Sequence, residues 1–242
     1  MTGFVMEAAG IVKDLGSGAA QTRALKGVNL SLKGGELTLL MGPSGSGKTT
    51  LLSILGCMLT PTEGTIRVRG DSIAGKGPED LAKLRRENIG FVFQSYHLFP
   101  TLSAADNVRL SLDVRGETGK DARNKAREAL ARVGLSHKTA SYPRQLSGGE
   151  QQRVAIARAV VGDPSVILAD EPTAALDSEN GKAIMGILAE IAREPGRGVL
   201  VVTHDPRLVP FADRIVHIED GNIVREEGSG ASHRVKDIVG RE

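Results

Sequence analysis

This chain of 242 residues contains one cysteine, no tryptophan and very little net charge. With Cys57 alone, no disulfide can form within the chain, which suits a reducing compartment. Its place on an apolar segment reads as a small core residue rather than a reactive thiol. The formal net charge of +2 argues against a nucleic-acid surface as the main business. No apolar run approaches the roughly 20 residues needed to span a bilayer. The stretch Met1 to Leu15 lacks a basic segment followed by an apolar one, so no secretory signal is expected there. A role at a membrane would then mean docking on a protein already in it. Aromatic residues are few and unevenly spread: four of them, Phe91, Phe93, Tyr96 and Phe99, fall within nine positions, and none lies between Val5 and Met41.

The hydrophobic share of 40% and charged share of 25% are ordinary for a globular chain, and the length allows one large domain or two small ones. The most informative stretch is Gly42-Pro43-Ser44-Gly45-Ser46-Gly47-Lys48-Thr49-Thr50, which fits the phosphate-loop pattern G-x-x-x-x-G-K-[ST]. The apolar run Leu37 to Met41 before it predicts a buried strand, and Thr49 to Cys57 after it predicts a helix. Glycines let successive N–H groups converge on an anion, and the helix N-terminus adds partial positive charge. Lys48 can reach the β- and γ-phosphates, and the Thr49 hydroxyl can bind Mg²⁺.

Elsewhere the pattern alternates. Strands are expected at Phe4 to Lys13, Gly27 to Leu32, Thr65 to Arg69, Ile89 to Phe93, Val166 to Ala169 and Val199 to Val202. Helices are expected at Pro78 to Glu87, Ser178 to Ala192 and, briefly, Pro206 to Phe211. A hairpin around Asp220-Gly221 closes the pattern. Between about 95 and 160 only helices are legible: Ser103 to Leu112, Lys120 to Val133 and Glu150 to Val161. The last stretch, Gly228 to Glu242, is weakly patterned and reads as a short helix or a loose tail. Strands alternating with helices imply an α/β fold with a mostly parallel sheet.

Two further motifs carry chemistry. The strand Val166 to Asp170 ends in a carboxylate and is followed by Glu171. In phosphate-loop ATPases an acid at this strand end holds Mg²⁺, and Glu171 is placed to orient or deprotonate a water. The string Leu146-Ser147-Gly148-Gly149-Glu150-Gln151 sets a capping box, Ser147 with Glu150, before a helix. Its two glycines expose the helix N-terminus as a second phosphate-binding surface.

With those motifs together, the chain resembles the nucleotide-binding subunit of an ATP-binding cassette (ABC) transporter over about residues 4 to 226. The residues that carry the likeness are Gly42–Thr49, Gln94, Leu146–Glu150, Asp170-Glu171, Ala174-Ala175-Leu176-Asp177 and His204. The resemblance implies a P-loop NTPase core with a mostly parallel sheet, an N-terminal antiparallel β subdomain and an inserted helical subdomain. It implies one domain, 4–226, with its core at about 4–94 and 162–226, its helical part at about 95–161 and a C-terminal tail at 227–242. It implies ATP and Mg²⁺ as ligands, with Lys48 on phosphate, Thr49, Gln94 and Asp170 on Mg²⁺, Glu171 as base and His204 steadying it. It implies a head-to-tail homodimer in which Ser147, Gly148, Gly149 and Glu150 of one subunit face the phosphate loop of the other, with Asp177 coupling the sites. Its implied partner is a separate integral-membrane permease, of FtsX-like type, with a membrane-fusion protein beside it and no nucleic acid. The place implied is peripheral, on the cytoplasmic face of the inner membrane.

Phe91-Val92-Phe93-Gln94, Leu98 to Ser103 and Asn107-Val108 resemble the group that exports macrolides, releases lipoproteins or acts in cell division. Glu171 to Asp177 and Ala212 to Val216 lean toward its heterocyst glycolipid-export branch, and Ala174-Ala175 stands where lipoprotein-releasing members carry Gly-Asn. A hydrophobic or lipid-like cargo follows. Two other readings remain: a soluble ABC ATPase of translation or DNA repair, and a module that binds ATP without cleaving it. The family places an adenine-stacking aromatic where this chain has Leu15. Tyr96, Leu98 and Phe99 are the expected permease contact.

Overall fold

The structure is a computed structural model that describes residues 3–18 and 21–228. Among the described residues, ten strands and six α-helices run in the order β1 (Phe4–Leu15), β2 (Thr22–Lys33), β3 (Leu37–Met41), α1 (Lys48–Leu55), β4 (Glu63–Val68), β5 (Asp71–Ser72), α2 (Pro78–Asn88), β6 (Ile89–Val92), α3 (Ala104–Asp113), α4 (Gly119–Arg132), α5 (Gly148–Val160), β7 (Val166–Asp170), α6 (Ser178–Ala192), β8 (Gly198–Thr203), β9 (Arg214–Glu219) and β10 (Asn222–Gly228). They form two sheets. One is four-stranded in the order β2-β1-β4-β5, and every neighbouring pair in it is antiparallel. The other is six-stranded in the order β10-β9-β3-β8-β7-β6, parallel throughout except for the β9–β10 hairpin.

The parallel strands are continuous apolar runs because both of their faces are covered. Residues alternate between two cores, as the period of a strand requires. Leu39, Val201 and Ile167 face a core built with α3, α4, α5 and α6. Leu40, Leu200 and Leu168 face the other, shared with α1 and the antiparallel sheet. Three α-helices and no strand lie between β6 and β7.

Several boundaries differ from the sequence reading. The strands β1 and β2 are each 12 residues long, because they pair as one hairpin through a series of register shifts, and their exposed tip carries no apolar pattern. Helix α1 stops at Leu55 instead of Cys57. Gly56 lies under the Phe91 ring with no room for a side chain, and Cys57 turns left-handed at φ 55°. The two-residue β5 is wholly exposed and has no sequence signal. Glu227 and Gly228, expected in the tail, pair with Ile215 and Arg214 as the end of β10. The rest of that tail lies outside the described residues. Among the described residues, no helix is long and apolar enough to cross a membrane.

Candidate functional site

The turn after β3 is built from backbone. Gly45 and Gly47 take φ of 79° and 100°, a region open to glycine without strain. Gly47 is the N-cap of α1 and offers no side chain to the helix. The first N–H groups of α1 are therefore free to meet an anion. A side chain on Gly42 would run into the Ile218 carbonyl oxygen, so β9 and the loop can approach only across glycine.

Two features of the loop fit a phosphate ligand. The Ser46 hydroxyl is buried and has no partner. The Lys48 ammonium is buried and bonded only to neutral groups, the carbonyls of Gly42 at 2.8 Å and Pro43 at 2.7 Å. Burial pushes the Lys48 pKa down, opposed by the charges of Glu171 and Asp170. An anion here would give the amine a charged partner.

Glu171 follows β7 with φ at +45°, a strained backbone for a non-glycine residue. Its N–H donates to Val202 at 2.9 Å, which pins the turn to the end of β8. Its Oε1 lies 2.7 Å from His204 Nδ1. Asp170, the last residue of β7, has its carboxyl pushed up, first by burial and then by Glu171, while Lys48 pulls it down. Thr49 and Glu171 line one cavity, and Asp170 lies close enough to Glu171 and Lys48 to feel their charges, which makes a small oxygen-rich set. Among the described residues, no group of three or more His, Cys, Asp or Glu could hold a metal alone. Mg²⁺ fits such a set, because it keeps several waters and shares its remaining positions with phosphate.

One cavity of about 850 Å³ gathers Pro43, Ser44, Gly45, Gly47, Lys48, Thr49, Thr50, Gln94, Glu171 and His204. Gly42, Ser46 and Asp170 support it without lining it. Its other wall is Leu15, Thr22, Arg23, Ala24, Lys26, Asp220 and Gly221. Of these, sequence reasoning singled out Leu15 as a site position and Asp220-Gly221 only as a turn. The rest had no local signal, because β2 and the β9–β10 hairpin reach the loop only through tertiary packing. Lys26 N–H donates to Gly221, and Gly221 N–H to Ser46, which ties the three segments together.

The second glycine motif stands apart. Ser147 and Glu150 form the expected capping box on α5, with Ser147 N–H to Glu150 Oε2 at 2.8 Å and Glu150 N–H to Ser147 Oγ at 3.3 Å. Gly148 and Gly149 form the first turn of that helix rather than a loop. Gly149 is buried, and a side chain there would press on the Asn180 carboxamide. Asn180 in turn donates to Asp177, which caps α6 by accepting from the N–H groups of Glu179 and Asn180. None of Ser147, Gly148, Gly149, Glu150 or Asp177 lines the cavity of its own chain.

Residues 25–174 match the family described as ABC transporter. The chain belongs to that family. As an ABC transporter ATP-binding domain it is an ATPase. Among its relatives, the macrolide export ATP-binding/permease protein MacB of Salmonella choleraesuis is 47% identical over 220 residues, which cover 91% of this chain and 34% of that protein. MacB of Escherichia coli strain K12 is 46% identical over 221 residues, with the same shares covered. The chain thus spans about a third of the length of these relatives. A solved ATP-binding cassette, dimeric and in a post-hydrolysis state with ADP and Pi, is 43% identical with a TM-score of 0.85, covering 93% of this chain and 99% of the other. A second dimeric structure, of a bacterial ABC transporter cassette, matches with the same figures.

Proposed function

We propose that this ABC cassette hydrolyses ATP between two copies of itself and drives a membrane permease that moves a hydrophobic or lipid-like compound outward. The observation that carries the catalytic part is Glu171: a strained carboxylate in the cavity wall, beside the phosphate loop and bonded to His204. Phosphoryl transfer needs positioning and charge neutralisation more than covalent chemistry. Lys48 and the N–H groups of the loop bind phosphate, and Thr50 closes the first turn behind them. Thr49, Asp170 and Gln94 hold Mg²⁺, which supplies neutralising charge. Glu171 accepts the proton of the attacking water, and His204 keeps the carboxylate aimed. Ser147, Gly148, Gly149 and Glu150 of the second copy complete the site, which agrees with their standing outside the cavity of their own chain. Asp177 joins the two sites through Asn180 and Gly149.

The permease side is supported by a second groove, of about 630 Å³, walled by Phe91, Phe93, Phe99 and Val114 with Arg85, Arg86, Arg115 and Arg158 around them. Phe99 is 50% exposed and Val114 57%, an apolar pair fit for a partner. Of the three residues expected from the sequence, Tyr96, Leu98 and Phe99, the contact centres on Phe99, the exposed one. Leu98 packs on the helical core, and the Tyr96 ring turns to Gly148. The relatives named for macrolide export support an exporter. An FtsX-like permease, a membrane-fusion protein and a peripheral place at the cytoplasmic face of the inner membrane complete the reading, with the glycolipid branch as its finer form.

Replacing Glu171 by Gln tests it. ATP binding should persist, hydrolysis should fall by about 10²–10⁴-fold, and the ATP-bound dimer should accumulate on size-exclusion chromatography. A Glu171→Gln protein that hydrolyses normally and stays monomeric removes Glu171 from the base role.

A further inference from the structure

Tyr96 and His97 follow Gln94 closely and take φ of 59° and 48°. Among the described residues they are the only two consecutive non-glycine residues in the left-handed region. Bulky side chains avoid that region, so a turn of this kind persists only where its surroundings hold it. Arg158 does so. Its Nη2 donates to the Tyr96 carbonyl at 2.7 Å and its Nη1 to the His97 carbonyl. One rigid planar fork thus grips both strained residues, each through its own nitrogen, a fixed geometry that a lysine ammonium does not reproduce. The Phe93 ring lies 4.7 Å from that of His97 and closes the turn from the other side.

Arg158 sits on α5, the helix that begins at the Ser147–Gly149 turn. That turn meets the same segment, since a Cβ on Gly148 would lie 2.9 Å from the Tyr96 hydroxyl. The helix therefore touches the strained turn at two places about three helical turns apart. The residue that this turn aims into the nucleotide cavity is Gln94.

We propose that Arg158 is a positioning residue for hydrolysis: by holding the Tyr96 and His97 carbonyls it aims Gln94 into the cavity and makes Gln94 and the Ser147–Gly149 turn move as one body. This rests on the reading of Gln94 given above. Nucleotide state sensed at Gln94 is then passed along α5 to the surface that meets the second copy.

The test uses ATPase kinetics of the full chain. Arg158→Lys keeps the charge but loses the rigid two-nitrogen fork that spans both carbonyls. Its kcat should fall about tenfold, the weight of one unsupported left-handed residue. KM for ATP should stay within about twofold, because the phosphate loop is untouched. Adding His97→Gly should restore most of the lost kcat, since glycine adopts positive φ unaided. A wild-type kcat in Arg158→Lys overturns the proposal. So does a slow Arg158→Lys that His97→Gly leaves slow, because plain loss of α5 packing would behave that way. If Arg158→Lys does not fold, Arg158→Gln with and without His97→Gly gives the same comparison. Gln94→Ala separates the two levels: normal kcat there overturns the Gln94 reading and this inference with it. A slow Gln94→Ala beside a normal Arg158→Lys overturns the Arg158 assignment alone.

Discussion

Leu15 is the cavity residue expected to meet the nucleotide base. It lines the cavity at the hairpin tip, 41% exposed, where the family likeness leads one to expect an aromatic ring. Its neighbour Arg23 is drawn onto Asp14 by a two-pronged ion pair at 2.8 and 3.1 Å. An aromatic contact adds about 0.5–1.5 kcal/mol beyond area burial, up to about tenfold in affinity. Leu15 still offers apolar area, so the gain from Leu15→Tyr should sit at the low end. Equilibrium titration in the Glu171→Gln background should show weak discrimination between ATP and GTP, and modestly tighter ATP binding in Leu15→Tyr. Strong ATP preference unchanged by the substitution would place base recognition elsewhere. Gly42 is the other single residue on which the site depends. Gly42→Ala should abolish nucleotide binding, because its methyl group would meet the Ile218 carbonyl oxygen, and neither β3 nor β9 can withdraw without breaking their parallel pairing. Retention of ATP binding in the folded variant would show that the loop can shift.

At the scale of elements, the start of α5 combines a structural and a functional task. Its capping box satisfies helix N–H groups by side chains of its own, while Gly148 and Gly149 leave the first turn bare. Ser147→Ala should destabilise the fold by about 1 kcal/mol, measured by denaturant unfolding. Glu150 gives the same cap a pH signature. The Ser147 N–H bonded to it, and then Lys138, hold its carboxyl below the ordinary value of 4.5. A lowered folded value means that the carboxylate stabilises the fold fully above the ordinary value and loses that effect as pH falls through the folded one. The gap in thermal midpoint between the natural chain and Glu150→Ala should therefore be constant near neutral pH and close in acid. A gap that stays constant through the acid range would mean that the Glu150 charge plays no part in the cap.

At the scale of the whole molecule, the two glycine motifs sit on different parts of the fold, and one chain does not bring them together. In the proposed head-to-tail dimer, each copy would lend its α5 turn to the other's loop, and both sites would be completed at once. Mixing provides the test. Lys48→Ala and Ser147→Arg should each be inactive, the first through its loop and the second through its α5 turn. A mixed dimer contains one site with both lesions and one with neither, so combining the two proteins should restore hydrolysis. No restoration, with mixed dimers shown to form, would mean that both motifs serve the same chain.

The phosphate loop, the acid pair at the end of β7, the capping box and the alternation of strands and helices could all be read from the sequence by itself. Each is a contiguous pattern whose chemistry lies in neighbouring residues: glycine spacing, an apolar run ending in a carboxylate, serine three residues before glutamate. Tertiary structure alone decided which distant segments close around them. It brought Arg23, Lys26 and Gly221 to the loop, set His204 against Glu171 across 33 positions, and turned Glu171, Tyr96 and His97 left-handed. Of the expected permease contact, Tyr96, Leu98 and Phe99, it left Phe99 exposed and packed Leu98 on the helical core. No local pattern encodes these outcomes, because backbone sign, burial and cross-strand neighbours are set by how two sheets and a helical insertion pack on one another.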